Sequence, residues 1–547
     1  MLRTRPRPTW MAVGLAAAIG AGLLSTNTAS AAIGTPDTTG AFAHTAQVTV
    51  GGPADARGCS GTLVAAQWLL TSQSCFTATP GTGITPGKPA EAVTVTLGAQ
   101  SFSVAEVFPR TDRDVLLARL DRPVTGVTPA TLASSAPEAG TALTAAGHGR
   151  TKTLWVPDKV HTAAFTTTSA SATALAIEGG QTGDAICQGD AGGPVSNAAG
   201  EVVALSSRSW RAGCLGTPET ETRRNAEAAR VDDLRQWVMD VRAAQPGWKS
   251  RSFVRTDRGI FQGVRLADGT WTDFRDVESE AGRVGDTLAS ASGVAAAGVN
   301  RDTHVLAIDS AGTLRHAVRA ADGSWSTFND VGAVAGVLGN LKQVAAVSIG
   351  QELHVVALAD GKVFHTIRHA DGKWTRFGNV LGAAGPLGTV TSVSTASVGG
   401  QLQTVAVTGG KPYHTVRNTA GQWTAWGDMS KAVGVTGPVS SVAIAGVGTD
   451  AHVVIATDNG TKQYHTLRSA SGSWTVYGSL STVLGGVTAK SVSAAHVDGE
   501  LQVAAVTADG KLLHTIRHAD RTWAPTVQVT LAGTTGTPIG LSITGTL

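Results

Sequence analysis

Tyrosine, methionine and cysteine are nearly absent from this chain, with 3, 4 and 4 copies in 547 residues. An excess of one charge is missing too. The chain carries 43 basic and 40 acidic residues, and removing residues 1–31 takes away three arginines and balances them. A balanced surface has no electrostatic footprint for nucleic acid or anionic lipid, so neither is expected as a partner. No stretch reaches the roughly 20 apolar positions that a membrane-spanning helix needs. No cysteine follows Cys214, and no Cys-x-x-Cys or flanking histidine pair accompanies the four present. That pattern excludes a zinc site, and neither metal nor cofactor is expected.

What is present begins with a leader. Arg3, Arg5 and Arg7 precede an apolar stretch from Met11 to Leu24, and Ala29-Ser30-Ala31 offers small residues for cleavage. Residues 1–31 read as a secretory signal peptide, too short to span a bilayer. Without a twin arginine, general secretion and an extracellular location are expected. An even cysteine count behind such a leader favours disulfides, with three pairings open. The remaining 516 residues exceed one core, so at least two domains are expected.

The first half carries the chemistry. Residues 187–194 read Cys187-Gln188-Gly189-Asp190-Ala191-Gly192-Gly193-Pro194. The run resembles the nucleophile loop of the chymotrypsin/trypsin (S1) serine protease family, Gly-Asp-Ser-Gly-Gly-Pro, with alanine in the serine slot. A methyl group cannot attack a carbonyl. Cys59-Ser60-Gly61-Thr62-Leu63-Val64 and Thr71-Ser72-Gln73-Ser74-Cys75 resemble the segment that carries the family's histidine, and Ser74 stands in the histidine slot. A serine hydroxyl is no general base at neutral pH. Asp114, in Asp114-Val115-Leu116-Leu117, matches the triad aspartate, which here has no imidazole to orient.

The resemblance spans about residues 33–242 and implies a trypsin-like double barrel. It also implies pairings Cys59–Cys75 and Cys187–Cys214, and an oxyanion loop at Gly189 and Asp190. It places Ala185 where trypsin-like members carry the acid of the specificity pocket. Ser209-Trp210-Arg211 takes the place of a Ser-Trp-Gly substrate edge, with arginine filling the glycine's space. His148, in Gly147-His148-Gly149, reads as a packing substitution rather than a relocated base. Ile33-Gly34 resembles the family's amino terminus, whose free amine would pair with Asp190. Val231, Leu234, Trp237, Val238 and Val241 are spaced for one face of a closing helix.

After Ala243-Ala244-Gln245-Pro246-Gly247 tryptophan becomes periodic. Trp271, Trp325, Trp374, Trp423, Trp474 and Trp523 lie 54, 49, 49, 51 and 49 residues apart. Arg265, Arg319, Arg368, Arg417, Arg468 and Arg517 accompany them, with His316, His365, His414, His465 and His514 in five copies and Gln262 in the first. A period near 50 with short alternating strands reads as one propeller blade per copy. In the third copy the strands are read as Val344–Val347, Leu353–Ala357, Val363–Arg368 and Trp374–Phe377, with a hairpin at Asp371-Gly372 whose corners both take positive φ. The surplus strand Ile539–Thr544 is expected to complete the first blade. The repeats resemble lectin-type propellers of the tachylectin and fucose-lectin kind.

The fold expected is all-β: signal peptide 1–31, trypsin-like domain 32–243, linker 244–250 and six-bladed propeller 251–547. The missing nucleophile and base favour a secreted binding protein with a catalytically inactive protease-like domain. The alternatives are an active secreted S1 endopeptidase with a non-standard site and a purely structural or protein-binding surface protein. The six tryptophans and six arginines are candidate contacts for extracellular or cell-surface glycans, although blade-on-blade packing alone would make them recur. Histidine and arginine three apart on a strand point to opposite faces. No copy shows a second histidine or a carboxylate at ligand spacing on one strand face, so metal binding by these histidines is not expected. The protease-like domain's partner is an unknown protein.

Overall fold

The computed structural model describes residues 34–77, 83–180, 184–282, 288 and 291–547. The leader and Ile33 lie outside the described residues. The chain separates into two compact units, Met1–Asp232 and Asp233–Leu547. No helix of the described residues is long and apolar enough to cross a membrane.

Period-two burial builds the first unit. In Thr45–Val50 the side chains of Ala46, Val48 and Val50 are buried, and those of Gln47 and Thr49 are less so. This strand joins Arg57–Ala65, Trp68–Thr71, Leu116–Leu120, Gln100–Pro109 and Val93–Leu97 in a closed barrel, around a core that includes Leu63, Leu69, Val95 and Leu116. The second barrel runs His161–Ala170, Ala174–Gly179, Asn225–Arg230, Val202–Ser209, Pro194–Ser196 and Ala142–Gly147, and closes by pairing of the last with the first. Leu143, Phe165, Leu175, Ile177 and Leu205 sit inside it or against its walls, all at most 3% exposed. Closure removes every open sheet edge that could template association.

The second unit holds six four-stranded sheets. Pro538–Thr546 pairs antiparallel with Lys249–Thr256, with Arg251 opposite Thr544. The carboxy-terminal strand thus completes the first blade, and the ring closes as its surplus strand implied. The helix Arg235–Ala244 belongs to this unit. Its Arg242 Nη2 lies 2.5 Å from Asp268, and its Asp240 carboxylate accepts both 2.5 and 2.6 Å bonds from Arg275. The segment 244–250, expected as a linker, holds the last residue of that helix and the first residues of the strand Lys249–Thr256.

The third copy departs from its reading in two places. Its outer strand is Gly378–Asn379, not Trp374–Phe377, and Trp374 makes only an isolated bridge to Arg368. One backbone bond survives there, from the Thr375 amide to the Ile367 carbonyl at 2.9 Å, and threonine hydroxyls make the others. Thr366 Oγ1 donates to the Thr375 carbonyl at 2.6 Å, and Thr375 Oγ1 accepts from the Ile367 amide at 2.9 Å. The turn holds a single left-handed corner, Gly372 at φ +87°, because the loop spans three residues between paired His369 and Lys373.

Candidate functional sites

The short 3-10 helix Gln73–Phe76 delivers Ser74 to the rim of the cleft between the barrels. Asp114 lies beneath it. One carboxylate oxygen of Asp114 accepts hydroxyl bonds from Ser72 at 2.6 Å, Ser74 at 3.2 Å and Ser207 at 2.6 Å, and the other accepts the Ser74 amide at 2.9 Å. Three serines therefore occupy the acceptor capacity that an imidazole would use. Across the cleft, Ala191 presents a methyl group.

The loop around Ala191 is held as tightly as a working one would be. The Ser60 amide donates to the Ala191 carbonyl at 2.9 Å, and Ser60 Oγ donates to the Gly189 carbonyl at 2.9 Å. Gly192 has φ +89°, and a Cβ there would stand 2.3 Å from the Ser60 carbonyl, so only glycine fits. Asp190 is 5% exposed. Its carboxylate accepts the amides of Gly149 at 2.7 Å and Cys187 at 2.8 Å, with His161 Nε2 at 3.5 Å. Thus Asp190 is an internal strut as the described residues stand, and Ile33 falls outside them. His148 is half-buried with Nε2 3.4 Å from the Thr45 carbonyl, and burial lowers its pKa.

One expected pocket position lies away from the cleft. Ala185 does not line the cleft. It is buried against a void of about 10 Å³ shared with Asp190, His161 and Ser206. Of the edge expected at Ser209-Trp210-Arg211, Ser209 and Arg211 line the cleft, while the serine bonded to Asp114 is Ser207. A bulge lies between Ser206 and Arg208. Ser209 instead donates to the Ile186 carbonyl and ties the strand to the loop before Cys187. Trp210 is exposed beneath the Arg223 guanidinium, 3.4 Å from its ring centre. Arg211 does line the cleft, in a left-handed conformation at φ +60°.

Cys59 bonds to Cys75 and Cys187 to Cys214, the pairings that the resemblance implied, and no cysteine is free. Both bridges flank the cleft. Non-reducing peptide mapping is expected to recover these two pairs. Replacing Cys187 and Cys214 together with serine should cost about 2–4 kcal/mol in urea unfolding.

Residues 32–238 match the family model whose description is Trypsin. The first unit is a trypsin-like serine protease domain. The platelet-aggregating proteinase PA-BJ of Bothrops jararaca is 27% identical over 220 residues, covering 34% of this chain and 83% of that protein. Among solved structures, that of GrC is 19% identical at TM-score 0.31, covering 38% of this chain and 97% of that chain. A human heparin binding protein is 23% identical at TM-score 0.31, covering 39% and 97%.

In the propeller, five of the six repeated tryptophans meet the repeated histidine of the preceding blade. Trp374 stands edge-on to His316 at 5.3 Å between ring centres, Trp423 to His365 at 5.6 Å, and Trp474 to His414 at 5.3 Å. Trp523 meets His465 at 5.6 Å, and Trp271 meets His514 at 5.5 Å across the ring closure. Trp325 faces the first blade, and its Nε1 donates to Glu280 at 3.1 Å. All six rings are half-buried. Arg368 lies beside His304 and His316, and Arg417 beside His354 and His365. The candidate tryptophans and arginines therefore converge on the gaps between blades.

Five of the six blades also hold a polar pair that reading along single strands missed. His304 Nδ1 lies 2.9 Å from His316 Nε2, His354 from His365 at 3.1 Å, and His452 from His465 at 3.0 Å. Gln403 and Gln502 take the same place opposite His414 and His514, at 2.9 and 2.8 Å. The partners are diagonal neighbours on adjacent strands. A second histidine does share a face, contrary to the single-strand reading. Recurrence of His304, His354, Gln403, His452 and Gln502 about every 50 residues was the available signal. Burial is the first cause that drives the third-strand imidazoles His316, His365, His414, His465 and His514 down to about 3. It takes His304, His354 and His452 to about 4.

The first blade breaks the pattern. Arg251 holds the register position of those second-strand residues and Gln262 that of the third. Arg251 is 5% exposed, bonds Thr546 Oγ1 at 3.0 Å and leaves Nη1 without a partner. Burial, then Arg319, pushes it down to about 9. A buried charge without an acid is costly. Arg251→Gln, which copies Gln403, is expected to stabilise the chain by about 1–3 kcal/mol. A rise in Tm checks this, and a fall would contradict it.

Proposed function

We propose that this protein is a secreted, non-enzymatic binding protein, in which a catalytically inactive trypsin-like domain accompanies a carbohydrate-binding propeller. One observation carries the non-enzymatic half. The nucleophile position holds the methyl of Ala191, while the Asp114 carboxylate is taken up by the hydroxyls of Ser72, Ser74 and Ser207. Two disulfides and no free thiol support an oxidising, extracellular setting.

For the propeller, the support is a half-buried tryptophan beside an arginine, repeated around a closed ring. Sugars stack their C–H faces on indole, and their hydroxyls take hydrogen bonds from guanidinium groups. Several weak sites on one rigid ring raise attachment to a glycan-coated surface by avidity. The test exposes the full chain to a broad glycan array and follows hits by calorimetry. Binding to at least one sugar class is expected, with Trp374→Ala and Arg368→Ala lowering the number of sites. No binding at millimolar sugar would remove the carbohydrate reading and leave a protein-binding platform.

A further inference from the structure

We infer that the cleft between the two barrels of the trypsin-like domain binds an acidic peptide segment that carries an apolar side chain. The cleft encloses about 740 Å³, and its described lining contains four arginines and no aspartate or glutamate. Arg57 is already engaged, ion-paired with Glu91 at 2.6 Å. Arg150, Arg208 and Arg211 make no ion pair among the described residues, and Arg208 and Arg211 are exposed. The Arg150 guanidinium lies 4.1 Å from the ring centre of Trp155. Beneath the cleft, Asp114 is covered by three serine hydroxyls, and Asp190 is taken up by the amides of Gly149 and Cys187. Unpaired guanidinium groups on one concave surface raise a positive potential there. Each offers a planar fork that matches a carboxylate.

A second observation selects peptide over polysaccharide. Leu154, Trp155 and Val156 are consecutive and 52%, 57% and 65% exposed, and the last two line the cleft. Adjacent large apolar side chains left in water mark an interaction site. A sulfated glycan would match the arginines but has nothing to cover Leu154 and Val156, whereas a peptide has aliphatic and aromatic side chains that do. That side chain rests on the rim beside Trp155 and Val156, because the void beside Ala185 is only about 10 Å³.

This inference rests on the reading of the domain as non-enzymatic. The probe is a fluorescent, end-blocked peptide of four glutamates around a central leucine, titrated into the full chain and followed by anisotropy. Saturable binding is expected, weakened about tenfold or more by high salt, while a peptide with lysine in place of glutamate does not bind. Arg208→Gln with Arg211→Gln is expected to weaken binding about tenfold with an unchanged circular dichroism spectrum. Trp155→Ser should weaken binding of the leucine peptide more than of its glycine counterpart. Absence of binding, binding indifferent to the arginine changes, or binding of a sulfated oligosaccharide in place of the peptide would overturn the inference. Cleavage of the peptide, seen as new termini by mass spectrometry, would overturn the non-enzymatic reading. Absent binding with the peptide intact overturns this inference alone.

Discussion

Incubated with a fluorophosphonate probe, the protein is expected to carry no label at residue 191, and mixed peptide substrates are expected to stay intact. Nucleophilic attack needs an oxygen, and Ala191 has none. Loss of the nucleophile or base in a triad costs on the order of a million-fold in turnover. Ala191→Ser alone is expected to leave labelling absent, because Ser74 cannot take the proton. Ala191→Ser with Ser74→His should give slow labelling. The new imidazole meets an Asp114 already bonded to Ser72 and Ser207, and the void beside Ala185 holds only about 10 Å³. Hydrolysis by the unaltered chain that disappears on Asp114→Ala would refute the proposal.

Acid is expected to unfold the propeller well before it would unfold an ordinary domain. Eight histidines in the blade gaps are held at about 3 or 4, against an ordinary value of 6.5. Between 6.5 and those values the unfolded chain binds protons that the folded chain refuses. Stability therefore falls as pH falls through this window, and the histidine contribution is fully present above 6.5. At pH ~5 the cost is about 2 kcal/mol for each histidine. Eight such contributions rival the whole stability of a domain, about 5–15 kcal/mol. Tryptophan fluorescence should report a transition near pH ~5, since five indoles stand on these imidazoles. His365→Gln, which keeps a polar partner for His354, should move the midpoint to lower pH. A transition below pH ~3 that ignores this change would show that the gaps tolerate charge.

The number of blades and the ring closure were legible in the chain because they follow from repeat spacing, and the six tryptophans need only counting. The two barrels were implied by the resemblance of the motifs around Cys59, Asp114 and Ala191 to those of the S1 family. Which serine bonds Asp114 was not legible. Ser207 and Ser209 are both serines ahead of Cys214, and only the bulge after Ser206 decides which one reaches Asp114. The outer strand of the third blade was misplaced for a related reason. Alternation along Trp374–Phe377 looks like a strand, but beside a single backbone bond from Thr375 to Ile367 the Thr366 and Thr375 hydroxyls make the remaining bonds.

By itself the sequence determined that residue 191 has no side-chain oxygen, that residue 74 has no imidazole, and that the second half repeats as blades. These are properties of residue identity and spacing, which no packing can alter. Only the tertiary structure decided where the recurrent residues point. It placed five of the six indoles against the preceding blade's histidine, paired that histidine with a histidine or glutamine across two strands, left Arg251 buried without an acid, and gathered Arg150, Arg208 and Arg211 around one cleft. Such contacts join residues far apart in the chain, and their geometry is set by how sheets and barrels close rather than by any local pattern.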